Sequence, residues 1–212
     1  MNPRPQATTC KYDIITSMIN FDVALVAKYF AEIGVLKRLP KMGMLVTGTA
    51  GEGVVAGHVT RAAQIAYILA FLEGVDAEKT ACMVLFHDNG EVRIGDQNKI
   101  AARYYNTSEA EKSAFIEQVQ NLPDDLSEKL RNYFIAFEAR ETKESLVAKD
   151  ADYLETAITA KELLEQGGSI GLQNWIKNVR NALKTESAKK LLDYIVKQDD
   201  FTNAWWQGLK KV

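Results

Sequence analysis

Apolar residues recur at three- and four-residue intervals along most of this chain, and sustained alternation is absent. That period places one face of a helix against a core, so the pattern predicts an all-α protein. Asp13 is placed to cap a first helix carrying Ile15, Met18, Ile19, Val26, Tyr29, Phe30 and Ile33, with Gly34 as its stop. Residues 35–53, with Pro40, Gly43, Gly48, Gly51 and Gly53, read as a long loop able to cross a binding site. Within it, Leu45-Val46-Thr47 is the best strand candidate, and a short one. A second helix runs from about Val54 to Glu73, with Val55, Val59, Ala62, Ala66 and Leu69 as its buried stripe and His58 one position off it. Asp76 caps a third helix, apolar all round from Ala81 to Phe86 and hence central to the fold. This helix delivers His87 and Asp88 at its C-terminal end.

Downstream, Ser108 with Glu111 forms a capping-box pattern ahead of Phe115 and Val119. Helices follow around Leu126, Leu130, Tyr133, Phe134 and Phe137, and from about Glu144 to Gln166 with Val147, Ala151, Leu154 and Ile158 inward. Two C-terminal helices close the chain, one with Leu172, Trp175, Ile176, Val179 and Leu183, the other with Leu191, Ile195, Trp205 and Leu209. Trp175 and Trp205 fall on apolar stripes and read as packing residues, whereas Trp206 falls off the stripe and marks an exposed patch.

Composition narrows the classes. The chain has 212 residues, 47% of them apolar, enough for one domain with a full core. We expect a tail over residues 1–12 and a single helical domain over 13–212. The net charge of -2 is mixed along the chain with no basic face, which argues against duplex nucleic acid as a partner. The cysteines are Cys10 and Cys82, without a CxxC motif, and a reduced, cytoplasmic setting is the simple reading. The polar start has no signal-like apolar region, and no segment is expected to span a membrane.

The chemistry concentrates around the only two histidines, His58 and His87. His87 is followed at once by Asp88, and Glu91 lies one helical turn on, on the same face if the helix continues. Asp150 and Asp152 add acids on a downstream helix, and pattern alone leaves open which of them faces inward. Two imidazoles and two carboxylates would hold a divalent ion (Mn, Co, Zn, Fe or Mg) and leave positions open for water or substrate oxygen. A closed structural zinc site would instead draw on cysteines. Taken singly, His58 reads as a part-buried helix residue, Glu91 as a loop acid, Asp96 as a turn residue, Lys41 as a loop lysine, and Arg61 and Arg93 as salt-bridge partners.

The string His87-Asp88-Asn89-Gly90-Glu91-Val92-Arg93-Ile94-Gly95-Asp96 resembles the HD-domain metal-dependent phosphohydrolases. More narrowly, it looks like their 5'-deoxynucleotidase branch, with its His-Asp-x-x-Glu-x-x-x-Gly-Asp signature. Val55-Ala56-Gly57-His58-Val59-Thr60-Arg61 resembles that branch's Val-Ala-Glu-His-Ser-x-Arg segment, and Lys149-Asp150-Ala151-Asp152 its Lys-x-x-Asp segment. The resemblance runs in order over roughly residues 14–166, ahead of C-terminal helices at about 168–210. It implies an HD-domain helical bundle with the metal site in its core, a homodimer, and one divalent metal held by His58, His87, Asp88 and Asp152. It also implies Glu91 as the water-activating acid/base, Asp96 at the sugar or the leaving oxygen, and a (deoxy)nucleoside 5'-monophosphate as the substrate hydrolysed to nucleoside and phosphate. Arg61 could add a phosphate contact.

Two segments depart from the pattern. Gly57 stands where the branch has Glu, and Lys41-Met42-Gly43-Met44 stands where it has an Arg and a Trp lining the nucleotide site. Lys41 can bring a charge to phosphate without Arg's fork, and Met44 can pack on a base or sugar less rigidly than Trp. Another phosphoester, such as a cyclic nucleotide, a nucleoside triphosphate or a guanosine polyphosphate, is the first alternative substrate. A non-catalytic metal-binding regulatory module is the alternative of a different class.

Overall fold

The computed structural model describes residues 21–49 and 51–209, and among them every regular element is helical. Asp13, Ile15, Met18 and Ile19 lie outside the described residues. The described part begins with α1 (Val23–Ile33), capped afresh by Asp22, whose Oδ1 accepts the N–H groups of Ala24 and Leu25 at 2.8 and 3.2 Å. The other α-helices are α2 (Val55–Glu73), α3 (Ala77–Phe86), α4 (Glu91–Ile94), α5 (Thr107–Val119), α6 (Asp124–Ala139), α7 (Lys143–Glu165), α8 (Gly171–Ala182), α9 (Glu186–Val196) and α10 (Phe201–Ala204).

Helix α7 is the axis of the bundle, packing against α2, α3, α6, α8, α9 and α10. Its contact face is largely alanine (Ala148, Ala151, Ala157, Ala160), and α2 answers with Ala62, Ala66 and Ala70. Small side chains let helix axes approach closely, and the larger Leu69, Met83, Phe137, Leu154 and Leu172 fill the flanks. A second cluster joins Tyr29 of α1 to Phe115, Val119, Leu130 and Phe134, with the Phe115 and Phe134 rings stacked at 4.7 Å. The predicted α2 stripe is buried as read, and Asp76 caps α3 by accepting the Lys79 N–H at 2.9 Å.

Several local expectations are corrected. Leu45-Val46-Thr47 lies in a 3-10 helix (Met44–Thr47), with the Thr47 hydroxyl donating to the Met44 carbonyl at 2.7 Å and no neighbouring strand to pair it. Asn106, not Ser108, caps α5, because its side chain accepts the Glu109 N–H at 3.1 Å; Glu111 is thereby freed to point elsewhere. The true capping box is Thr142 with Ser145, at the start of α7. Helix α3 is not apolar to the core on every side, since Leu85 is 45% exposed.

The last predicted helix breaks after Val196, and α10 is a separate turn held by Glu165, which accepts the Phe201 and Thr202 N–H groups at 2.9 and 2.8 Å. Trp205 therefore does not pack; it is 75% exposed, next to the exposed Trp206 and Leu209. Helix α2 also departs from expectation, being long and apolar enough by length and composition alone to cross a membrane. In the bundle its inner face packs on α3 and α7, while Tyr67, Ile68, Phe71 and Leu72 remain exposed.

Candidate metal centre and catalytic cavity

Three elements bring the predicted ligands together. His58 comes from the first turns of α2, His87 and Asp88 from the end of α3, and Asp152 from the middle of α7. All four are buried. His58, His87 and Asp88 each offer a ligand atom within 4.8 Å of the others. Asp152 Oδ1 completes the group at 3.2 Å from His58 Nε2 and 3.7 Å from His87 Nε2. The choice between the two downstream acids is settled by helix phase. Asp152 meets the histidines, while Asp150 points the other way and accepts the Lys184 and Thr185 N–H groups and the Thr185 hydroxyl, capping the approach to α9.

The imidazoles are oriented from behind. His58 Nδ1 hydrogen-bonds to Glu155, and His87 Nδ1 to the Val84 carbonyl at 2.6 Å. Each Nδ1 donates its N–H to an oxygen acceptor, which turns Nε2 into the site, where it can offer a lone pair once a cation takes the place of its proton. His58 Nε2 is buried with no hydrogen-bond partner, and His87 Nε2 faces Asp88 Oδ1 at 2.9 Å. Lone pairs and carboxylate oxygens converging in a buried spot require a positive charge between them. The same field acts on the imidazoles: burial disfavours the charged form of His58, yet Asp152, Glu155 and Asp88 outweigh it and push its pKa up to about 9. Asp88 is held well below the usual carboxylate range, against the effect of burial, by His87 and Lys41. A hard or borderline divalent cation fits this donor set of two nitrogens and two carboxylates.

Glu155, one helical turn beyond Asp152, supplies a carboxylate that orients His58, and a Cβ on Gly57 would meet open space. Glu155 is in turn held by Arg61, whose Nε donates to it at 2.9 Å while the other two nitrogens donate to Glu162 at 2.7 Å and Thr159 at 2.6 Å. Arg61 is thus committed behind His58, on a second cavity of about 360 Å³ that also carries Gly57 and Glu162. The expected substrate contact from Arg61 gives way to this ion-pair network. Arg93 is likewise occupied, by Glu32 and Glu117.

In front of His58 lies a cavity of about 320 Å³ lined by Asp88, Glu91, Asp96, Glu111, Lys149 and Asp152 on one side and by α8 on another. Lys41 reaches into it, with Nζ 3.3 Å from Asp88, 3.5 Å from Asp96 and 3.9 Å from Glu91. Burial works against its charge, but these acids raise its pKa well above the ordinary value. Its loop is pinned at the base by an antiparallel bridge between Pro40 and Val54, and across the cavity by Asp96, which accepts the Met42 N–H at 2.6 Å. Gly95 adopts φ +79, a left-handed backbone that turns Asp96 back toward this loop. Met44 does not line the cavity: its side chain is fully buried in the main core, while its N–H donates to Glu52 at 2.7 Å.

Glu91 opens the short α4 and is buried beside Asp88, with Oε2 unpartnered. Burial first, and the Asp88 charge second, raise its pKa. Glu111 of α5 comes close to both, so that Asp88, Glu91 and Glu111 place carboxylate oxygens within 4.8 Å of one another. Gly90 makes this approach possible, since a Cβ there would lie 2.5 Å from the Glu111 carbonyl oxygen.

Four cavity or positioning residues, Glu155, Glu111, Lys149 and Trp175, were not assigned from sequence. Glu155 and Lys149 had a legible signal, each three residues from Asp152 on one helix, and Lys149 also opens the Lys-x-x-Asp segment. Lys149 bonds Asp152 at 2.8 Å and sits 4.6 Å over the Phe137 ring that packs on His87.

The pattern that defines the HD domain matches residues 33–193 of this chain, spanning every candidate ligand and the cavity walls. This chain belongs to the HD-domain family. It is an HD-type phosphohydrolase by family, with a candidate metal-binding group in the core of its all-α bundle. Among curated proteins, it is 30% identical over 155 residues to a 5'-deoxynucleotidase of Enterobacter sp. (strain 638), covering 66% of this chain and 75% of that one. It is 27% identical over 187 residues to a 5'-deoxynucleotidase of Dictyostelium discoideum, covering 77% and 97%. Among solved structures, a conserved hypothetical protein from Pyrococcus furiosus superimposes with a TM-score of 0.65 at 29% identity, over 81% of this chain and 98% of that one. A predicted metal-dependent phosphohydrolase from Magnetospirillum magnetotacticum shares the HD fold at 22% identity and a TM-score of 0.65, over 82% and 93%.

Proposed function

We propose that this HD-domain protein hydrolyses the phosphomonoester of nucleoside 5'-monophosphates, deoxyribonucleotides among them, to nucleoside and phosphate. The observation that carries the reading is the pairing of a buried His58–His87–Asp88–Asp152 donor set with Glu91, whose Oε2 has no hydrogen-bond partner, beside a cavity lined by Asp88, Glu91 and Asp152. Relatives named 5'-deoxynucleotidases at 27–30% identity support the substrate class. His58, His87, Asp88 and Asp152 would hold one divalent ion, with Mn, Co, Zn, Fe and Mg all compatible with the donors. When bound, such an ion supplies Lewis-acid stabilisation of the phosphoryl oxygens and lowers the pKa of water.

The chain's own residues do the rest. Lys41 presents a permanent ammonium where the dianionic phosphoryl group enters. Glu91, whose raised pKa makes it a good proton acceptor once ionised, takes the proton of the attacking water as that oxygen bonds to phosphorus. The ester P–O bond breaks on the far side, where Asp96 lies toward the sugar and the leaving alkoxide takes up a proton from solvent, while the proton held by Glu91 returns to solvent as the cycle closes. Arg61 and Glu155 position His58 and touch no substrate. We read residues 13–212 as one domain in a cytoplasmic protein. A homodimer belongs to this reading too, and the exposed apolar face of α2 supports it.

Phosphate release from a panel of deoxy- and ribonucleoside 5'-monophosphates tests the proposal. Protein stripped with chelator is resupplied with each metal in turn, with His87→Ala as control. Metal-dependent release that vanishes in the variant is the expected result. Folded protein that binds the ion and releases no phosphate from any monophosphate would overturn the reading.

A further inference from the structure

The wall of the cavity facing the acids is built by α8 (Gly171–Ala182), and its exposed composition differs from the rest. Trp175, Asn178, Val179 and Ala182 follow one another at helical spacing along that wall. Trp175 packs by one side on the main core and is neither fully buried nor fully exposed. Its ring edge lies beside Gly43: a Cβ there would lie 3.4 Å from Cη2 and 3.7 Å from Cζ2, in ordinary van der Waals contact, so the indole stands next to the Lys41 loop across the cavity. Its Nε1–H is buried with no hydrogen-bond partner. Asn178, one turn on, is exposed and makes no side-chain hydrogen bond among the described residues.

The cavity's other aromatic residue, Tyr153, is already attended by cations, with Lys149 at 5.1 Å, Arg140 at 5.8 Å and Lys99 at 6.0 Å from its ring centroid. Trp175 is therefore the aromatic surface available to a flat, neutral group. The carboxylates and Lys41 specify where the phosphoryl end sits, which leaves α8 for the other end of the ligand.

We infer that Trp175 and Asn178 form the base-binding wall of this enzyme, Trp175 stacking on the nucleobase and Asn178 hydrogen-bonding its edge. The inference rests on the nucleotide reading above and locates substrate discrimination on α8. A carboxamide both donates and accepts, so it can meet a base edge in either sense. Stacking tolerates every base, so the wall favours nucleotides over base-free sugar phosphates more than one base over another.

Kinetics and fluorescence test it together. With nucleoside 5'-monophosphates, Trp175→Leu should raise KM about tenfold or more with kcat within about twofold, the loss expected for one base stack. Trp175→Phe should recover most of the loss, and neither change should alter hydrolysis of deoxyribose 5-phosphate. Asn178→Ala should change relative KM values among bases. Chain carrying Trp205→Phe and Trp206→Phe keeps Trp175 as its sole tryptophan. Its fluorescence should be quenched by nucleoside monophosphates and not by deoxyribose 5-phosphate. Equal KM loss for nucleotide and base-free ester in Trp175→Leu, or nucleotide binding by calorimetry without quenching, would overturn the wall while leaving the phosphomonoesterase intact. If wild-type protein hydrolyses no monophosphate, the nucleotidase reading fails instead, and the quenching titration still decides whether a base stacks on Trp175.

Discussion

In front of His58, the carboxylates of Asp88, Glu91, Asp96 and Asp152 share a cavity with the ammonium of Lys41; behind it, Glu155 and Glu162 share another with the guanidinium of Arg61. The two regions use the same currency of buried acids around one long cation, and they differ in how completely the charges are matched. Behind His58, every nitrogen of Arg61 has an acceptor at 2.6–2.9 Å. In front, Lys41 is spread over three acids at 3.3–3.9 Å and Glu91 Oε2 has no partner. A satisfied network fixes geometry, whereas an unsatisfied buried carboxylate is costly and persists where a ligand completes it. The charges behind the histidine are matched and hold it still, while those in front are left incompletely matched, as the proposed reaction needs.

Substitutions on the two sides should separate these parts. The largest effect is expected for His87→Ala and Asp88→Ala, which should lose bound metal, read by elemental analysis, and phosphate release together. Glu91→Gln should keep its metal and lose about 10²–10⁴-fold in kcat, the usual share of a positioned acid/base; full activity there would remove its assigned part. On the other side, Glu155→Ala should weaken metal affinity or activity by about 10- to 100-fold, and Arg61→Ala by less, since each acts on His58 only through its neighbours. An Arg61→Ala effect on KM as large as that of Lys41→Ala would break the division between the two sides.

Asp150→Ala serves as the control for burial without chemistry. It should cost about 1–3 kcal/mol in denaturant unfolding, because the Lys184 and Thr185 N–H groups lose their acceptor, with metal content unchanged. The smallest effect concerns Glu165, which lines neither cavity. Some desolvation opposes its charge, but the Thr202 hydroxyl and N–H, Lys161 and the Phe201 N–H lower its pKa to about 2. A carboxyl whose pKa is lower in the folded state contributes stability that is complete above its unfolded pKa and lost as pH falls through the folded one. Docking of α10 should therefore loosen between the ordinary glutamate range and about pH 2, visible in the emission of Trp205 and Trp206. No such change is expected near neutrality.

Helix content, the buried stripe of α2, the Asp76 cap and the His-Asp doublet were all legible from residue spacing, because a helix repeats its face every three to four residues whatever surrounds it. The metal-ligand types were legible too, since few residue types can hold such an ion and His58 and His87 are the only histidines. Local spacing misread Glu111, which looked like a cap and sits against Asp88. The family resemblance suggested Met44 for the cavity wall and Arg61 for phosphate; Met44 is fully buried, and Arg61 is engaged by Glu155, Thr159 and Glu162, the ion-pair role that its residue type alone suggested. Trp175 packs on the core as read, and it also lines the cavity. The sequence by itself determined which elements form and which chemistry the chain can carry. Only the tertiary structure decided which acid faces which histidine, what holds each imidazole, and which residues line the cavity, because those depend on the phase at which separate helices pack and on contacts between residues about a hundred positions apart.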